Sequence, residues 1–389
     1  MQKNILVRSI AALSGIVMLA SVAACGDNTA TTTDNSSSSD STSKSTPISG
    51  NFSGAGASSQ QAAVEAWIAG FQGTNPEAKI AYNPSGSGAG VQTFLTGATA
   101  WAGSDKALAD DEVEQSKSVC TEVTQSSDKA CANGTTAFDV PVYISPIAVV
   151  FNLKGVSDAG KHINMDAATI AKIFDGKITK WNDPAIADQN KDLKLPDTAI
   201  TVVHRSDKSG TTQNFVSYFK DVTPDNWTYD LSENWPNEVG QGAKGTSGVI
   251  STVKQADGTI GYADFSQVGD LGTVAVKVGD KYNEISAEAG SKVIGDSKQD
   301  DTVKGDNRIV IKINHATEAE GAYPIVLVSY DIVCPAYKDT KQAEFAKAWL
   351  TYVTSDEGQK AAQDAAGTAP LPSSLKSEIT KSIEAIKTK

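Results

Sequence analysis

From residue 49 onward, the apolar positions follow two alternating rhythms. In SSQQAAVEAWIAGFQ, Val64, Trp67, Ile68 and Phe71 recur at i, i+3, i+4 and i+7, which predicts a helix with one buried face. Ser58 and Gln61 fit a capping box at its start. The segments VQTFLTG, TIAKIF, TTQNFVSYFK and GVISTVKQ also read as helical, as does the long run EFAKAWLTYVTSDEGQKAAQDA. AKIAYN reads as a short strand that ends in a glycine loop. VPVYISPIAVVFN, AITVVHRS and YPIVLVSYDIVCP are apolar almost without interruption, as strands buried on both faces are. Mixed helices and buried strands without an internal repeat predict an α/β fold.

The first 48 residues follow neither rhythm. Lys3 and Arg8 precede a short apolar run, Ile10 to Ala20, and small residues end it at Val22-Ala23-Ala24-Cys25. This pattern predicts a secretory signal over residues 1–24, too short and wrongly flanked for a spanning helix. Val22 to Cys25 resembles the lipobox of bacterial lipoproteins, which implies lipidation of Cys25 and a membrane anchor. Residues 26–48 are Ser, Thr, Asp and Asn with almost no apolar content, and they read, behind the lipidated Cys25, as a disordered tether. No later run reaches spanning length.

Charge and cysteine content narrow the classes further. Without residues 1–24 the chain carries 32 basic against 46 acidic residues, a net charge of −14. Such a balance argues against nucleic acid as a partner, which needs a basic footprint. Cys120 and Cys131 lie close together in a polar stretch, and their spacing predicts a disulfide in an oxidising compartment. Cys334, at the end of an apolar strand, reads as a buried free thiol. The chain has no phosphate loop of the G-x-x-x-x-G-K-[ST] type, no G-x-S-x-G elbow and no H-E-x-x-H. His162, His204 and His315 lack metal-ligand spacing, so neither a metal nor a cofactor is expected. A G-x-G-x-x-G does run from Gly240 to Gly245, but no buried strand precedes it. It reads as a turn into a helix rather than a dinucleotide site.

Three segments share one design, in which small polar residues and glycines turn directly into a helix. They are Gly54–Ser59, Ser85–Gly90 and Ser206–Thr211. Helix N-termini carry unpaired N–H groups and partial positive charge, glycine lets a ligand approach the backbone, and hydroxyls add donors. Arg205, one of only three arginines in the chain, opens the third segment. Together they predict an anion held by converging helix N-termini. Asp105, in WAGSDKAL, fits this picture only if the anion keeps a proton that a carboxylate can accept. Its bland alternative is a turn cap before ALADDEVEQ.

In order and spacing, GAGASS, YNPSGSGAGV, WAGSDKAL, GKITKWNDPAI, HRSDKSGTTQNF, WPNEVGQGAKGTSGV, TIGYADF and AYPIVLVSY resemble the phosphate-binding lipoproteins of bacterial ABC importers, the PstS family. The resemblance implies a two-lobed periplasmic-binding-protein fold of type II, each lobe a mixed sheet flanked by helices. Lobe I would be residues 49–142 plus 323–389 and lobe II residues 143–322, with the ligand in the cleft. It implies that Ser58, Ser59, Ser87, Asp105, Arg205, Ser209, Gly210 and Thr211 bind inorganic phosphate and that Asp207 orients Arg205. It also implies delivery to the transmembrane permease subunits of an ABC importer with its cytoplasmic ATPase, on the extracytoplasmic face of the cell membrane. Two positions depart from the family pattern. Ser59 stands where Phe is frequent, so only its backbone N–H carries over, and Lys208 replaces a residue that is often small. A receptor for sulfate or molybdate, a secreted phosphatase, and an adhesin remain as alternatives.

Overall fold

The computed structural model describes residues 47–121, 135–157 and 162–388. Cys25, the signal and nearly all of the tether lie outside the described residues, as does Cys131. The chain opens with β1 (Gly50–Gly56), α1 (Gln61–Thr74), β2 (Ala78–Asn83), α2 (Ser87–Leu95), β3 (Trp101–Ser104) and α3 (Asp110–Ser116). β4 (Phe138–Asn152) follows, buried at every position but its last. Next come β5 (Ile163–Met165), α4 (Ala167–Phe174), α5 (Pro184–Ala187), β6 (Thr201–Arg205), α6 (Gly210–Val222), β7 (Gln241–Ala243), α7 (Gly245–Gln255), β8 (Thr259–Asp264) and β9 (Gly272–Val278). β10 (Lys281–Asn283), α8 (Ala287–Gly295), β11 (Lys298–Gln299) and β12 (Ile311–Lys312) lead to the second long buried strand, β13 (Val326–Val333). Helices α9 (Thr340–Val353), α10 (Asp356–Ala366) and α11 (Lys376–Glu384) close the chain.

The main sheet is mixed, with the order β2-β1-β3-β13-β4-β8-β6-β7. β4 is its spine. Its residues Phe138 to Pro146 pair antiparallel with β13, and from Ile147 to Asn152 it pairs instead with β8. The chain leaves the first half of the sheet within β4 and returns to it in β13. β1, β2 and β3 run parallel in the first half, and β6 runs parallel to β7 and β8 in the second. Parallel strands put their C-terminal ends on one edge, where α/β sheets hold ligands.

Each half has its own aromatic packing. In the first, the predicted face of α1 buries Val64, Trp67 and Phe71, while Ile68 is partly buried. Trp67 and Phe71 meet Trp349 of α9 edge-on, and Trp101 packs between Phe345 and Trp349. In the second, Phe174, Phe215, Phe219 and Tyr262 stack together, joined by Trp227 and Trp235. Burying each such ring stabilises the fold by roughly 1.5–3 kcal/mol.

Two local expectations are corrected. The run from Glu344 to Ala365 is two helices, because Ser355 caps α10 by accepting from the Gly358 amide at 3.1 Å. Periodicity could not show this break, since both pieces bury the same kind of face. The capping box of α1 also fails: Gln60 holds the N-cap position without a side-chain cap bond, and Ser58 turns elsewhere.

The cysteine pairing differs as well. Cys120 is bonded to Cys334, 214 residues away, and the expected Cys120–Cys131 bridge and free Cys334 thiol are both overturned. Sheet topology accounts for the pairing. Cys334 follows the end of β13, and Cys120 ends the turn after α3, where its N–H donates to the Ser116 carbonyl at 2.8 Å. The two Cα atoms are 5.0 Å apart, within disulfide reach. A non-reducing digest should join the Cys120 and Cys334 peptides, and Cys334→Ser should lower the unfolding free energy by about 2–5 kcal/mol. Recovery of a Cys120–Cys131 peptide instead would refute this pairing.

Candidate functional site

Every polar loop singled out in the sequence leaves the C-terminal end of a strand. Ser58 and Ser59 follow β1, Ser87 opens α2 after β2, Asp105 follows β3, and Arg205 ends β6 just ahead of α6. Glycine makes the approach possible. A Cβ on Gly210 would lie 2.8 Å from the carbonyl carbon and Cβ of Asp105. Gly86, at φ +100°, would put one 2.4 Å from Asp207 Oδ2.

Asp105 is the centre of the arrangement and only 1% exposed. Its Oδ2 accepts from the Ser59 hydroxyl at 2.5 Å and the Thr211 hydroxyl at 2.8 Å. Its Oδ1 accepts from Ser329 at 2.7 Å. Burial pushes the Asp105 carboxyl up from the ordinary range, while these three hydroxyls and the Arg205 charge pull it back. Ser87 Oγ accepts both the Asp105 amide at 3.3 Å and the Gly210 amide at 3.1 Å. With its lone pairs so engaged, the Ser87 hydroxyl proton is left to donate.

Arg205, 2% exposed, forms a two-pronged pair with Asp207, Nε to Oδ1 at 2.8 Å and Nη2 to Oδ2 at 2.6 Å. Partial burial alone would raise the Asp207 carboxyl, but the Arg205 bonds and charge hold it below its ordinary value. The pair leaves Nη1 and one Nη2 proton of the guanidinium for another partner. Ser209 caps α6 by accepting the Thr212 amide at 3.2 Å, which leaves the hydroxyl proton of this buried serine available as well.

These bonds join the two halves of the sheet. Thr211 reaches Asp105, the Gly210 amide reaches Ser87, and Asn214 donates to the Asp105 carbonyl at 2.7 Å. Ser58, the would-be helix cap, accepts the Thr246 amide at 2.9 Å and lies 3.1 Å from the Thr246 hydroxyl. Asp207 also accepts the Gly245 amide at 3.0 Å. The N-terminus of α7, set aside above as a failed dinucleotide motif, therefore belongs to the site.

Of the nine expected residues, Ser59, Ser87, Asp105, Gly210 and Thr211 form one hydrogen-bonded cluster, Arg205 and Asp207 pair beside it, and Ser209 caps its helix. Ser58 contacts α7 rather than Asp105. The Ser59 hydroxyl takes part, beyond the backbone role that the resemblance allowed it. Sequence reasoning missed Gln60, Thr246, Tyr262 and Ser329. Tyr262 lies 2.7 Å from the Thr212 hydroxyl and accepts the Arg205 amide, tying α6 to β6 and β8. The signal for Ser329 was the polar interruption Ser329-Tyr330-Asp331 in a largely apolar strand, and for Thr246 a fourth glycine turn into a helix. Among the described residues no group of His, Cys, Asp and Glu is arranged to hold a metal ion.

A mixed sheet in two halves, with polar strand ends meeting between them, defines a class, and the PBP superfamily domain matches residues 41–357. The phosphate-binding protein PstS2 of Mycobacterium bovis is 34% identical over 339 residues, covering 85% of this chain and 86% of the relative. The phosphate-binding protein PstS of Xylella fastidiosa is 34% identical over 84% of this chain and 83% of its own. The chain belongs to the PstS family of phosphate-binding proteins. A phosphate-binding protein from Stenotrophomonas maltophilia shares the fold at 18% identity, with a TM-score of 0.61 over 86% of this chain and 94% of that one.

Gly210→Ala should hold the halves apart, since its added methyl has no room at Asp105. Small-angle scattering should give a larger radius of gyration than for the parent protein, and the overpacked site should lose about 1–3 kcal/mol of stability. An unchanged radius and melting temperature would show that the halves do not meet through this glycine.

Proposed function

We propose that this protein is an extracytoplasmic receptor that captures inorganic phosphate between two lobes and hands it to an ABC-type permease. The lobes are residues 49–142 with 323–389 and residues 143–322, and they close by hinge motion about β4 and β13. One observation carries the reading. Asp105 sits buried among hydroxyl and amide donors, beside an arginine, with an oxygen facing the point where the two halves meet.

The chemistry follows from the donor set. The hydroxyls of Ser59 and Thr211 turn from Asp105 Oδ2 to phosphate oxygens, and Oδ2 then accepts the proton that phosphate retains. Ser58, Ser87 and Ser209 supply further hydroxyls, the start of α6 at Gly210 and Thr211 supplies backbone N–H groups, and Arg205 supplies the full positive charge. Asp207 fixes the guanidinium plane and keeps the local charge low. Sulfate carries no proton at neutral pH and would leave a buried carboxylate facing an oxyanion. The expected discrimination is on the order of a thousandfold. This tells against the sulfate or molybdate alternative. A phosphatase would need a nucleophile with its base, or metal ions, and the donor set supports neither.

The partners follow from this reading: permease subunits with their cytoplasmic ATPase, and the membrane through a lipid on Cys25. No helix among the described residues is long and apolar enough to cross a membrane.

Calorimetry on the chain from residue 47 onward should show tight phosphate binding and no sulfate binding. Asp105→Asn should narrow that gap at least about tenfold, and Arg205→Ala should weaken every oxyanion by about 10–100-fold. Equal affinity for phosphate and sulfate in the parent protein would overturn the reading. Intact-mass analysis of protein extracted from native membranes should find acyl groups on Cys25, and an unmodified cysteine there would contradict the anchor.

A further inference from the structure

We infer that Gln60 and Ser329 are positioning residues that lock Asp105 as a proton acceptor and thereby set the anion selectivity of the site. The inference deepens the phosphate reading and rests on it.

The direction of the hydrogen bonds is forced. Gln60 Nε2 donates to the Ser329 hydroxyl oxygen at 2.8 Å and to the Tyr330 carbonyl at 3.0 Å. A carbonyl only accepts, so the NH2 end of the Gln60 amide must face β13. At the other end, Gln60 Oε1 lies 3.4 Å from the Tyr82 hydroxyl, whose single proton is donated mainly to the Ala57 carbonyl at 2.9 Å. With an amide proton already on its oxygen, Ser329 has its single hydroxyl proton free for Asp105 Oδ1, 2.7 Å away. Gln60 and Ser329 are both fully buried, so water does not compete for either bond.

The backbone is shaped to present this serine. β13 runs antiparallel to β3 with Tyr330 opposite Ser104, which sets Ser329 beside Asp105. On its other side, Ser329 pairs with Tyr143 and Tyr330 with Pro141, so Val142 is an extra residue in β4. Bulges of this kind re-aim side chains next to binding sites. Pro141 has no N–H to lose at the irregularity. The extra residue's carbonyl is still satisfied, by Gln359 Nε2 at 2.6 Å.

The consequence concerns which oxygen is available. Oδ1 is held by a donor that cannot reverse, so a proton cannot settle there, and Oδ2 alone faces the ligand. Losing the Ser329 bond destabilises the carboxylate as a whole, so a proton can settle on Oδ2, from which the neutral carboxyl donates to an oxyanion that has none. Sulfate would then be admitted, more readily at lower pH. The charged and titratable groups around Asp105 include Arg205 on β6, which favours the ionised form, its partner Asp207, Asp264 on β8, whose carboxyl the Asp105 charge raises, Asp331 on β13, which bonds Gln60 and is pushed up to about 7 by burial, and the hydroxyls of Tyr82 on β2 and Tyr143 on β4. Burial presses Asp105 toward protonation, so removing one donor tips the balance in that direction.

The test measures phosphate and sulfate affinity for the full folded chain across the pH range from mildly acidic to mildly alkaline. Ser329→Ala should raise the sulfate-to-phosphate affinity ratio by about tenfold or more, increasingly as pH falls, whereas Ser329→Thr should keep the parent ratio. Gln60→Met, which frees the Ser329 hydroxyl to turn, should shift the ratio in the same direction and carries the test if Ser329→Ala does not fold. A ratio that stays at the parent value at every pH, in whichever of the two variants folds, would overturn the positioning role. Failure of the parent protein to bind phosphate would be a separate result, and would overturn the functional reading itself.

Discussion

A carboxylate taken out of water must be surrounded by donors or it takes up a proton. Asp105 meets this constraint with hydroxyls from three places far apart in the chain, Ser59, Thr211 and Ser329. The folding pattern is what brings them together. β1 and β3 lie side by side, β13 returns beside β3 after a long excursion, and α6 arrives from the other half of the sheet. The excursion leaves and re-enters through two neighbouring buried strands, β4 and β13, which is where the proposed hinge lies. Under the proposed hinge motion, separation of the halves would carry Thr211 away with α6 and cost Asp105 a donor.

Much of this was legible in the sequence. The apolar rhythms of β4, β13, α1 and α6 match the elements found, because strands buried on both faces and one-sided helices leave different marks. The loops of the site were visible as glycine and hydroxyl runs at helix starts, since close backbone approach allows few other residues. What was not legible depended on distance. Ser58 has the spacing of a helix cap, and its real partner, Thr246, is 188 residues away. Cys131 was the nearer partner for Cys120, but the strand order sets Cys334 beside it. Ser329 reads, with Asp331, as a polar position in a largely apolar strand, and only the register of β13 against β3 and β4 gives it a role. The break at Ser355 was hidden because its two helices share one periodicity.

Arginine use follows the same economy. Two arginines fall in the described residues, and both are buried and paired with aspartate. Arg308 binds Asp139 at 2.5 Å and the Leu108 carbonyl at 2.7 Å, pinning the segment just beyond Asp105. Arg205 binds Asp207 within the site. A guanidinium offers more donors than one carboxylate can use, so each pair keeps its geometry while directing spare donors elsewhere. The acidic surface is no obstacle, because charges more than about 8 Å away are largely screened at physiological ionic strength.

The account turns on whether the bound ion retains its proton against Asp105. Calorimetric titration of phosphate at alkaline pH, in two buffers of different ionisation enthalpy, reads whether that proton stays in the site or is released to solvent. The prediction is the same heat in both buffers, because phosphate enters as the monoprotonated dianion and keeps its proton on a bond to Asp105. A buffer-dependent heat equivalent to one proton released per ion bound would contradict it.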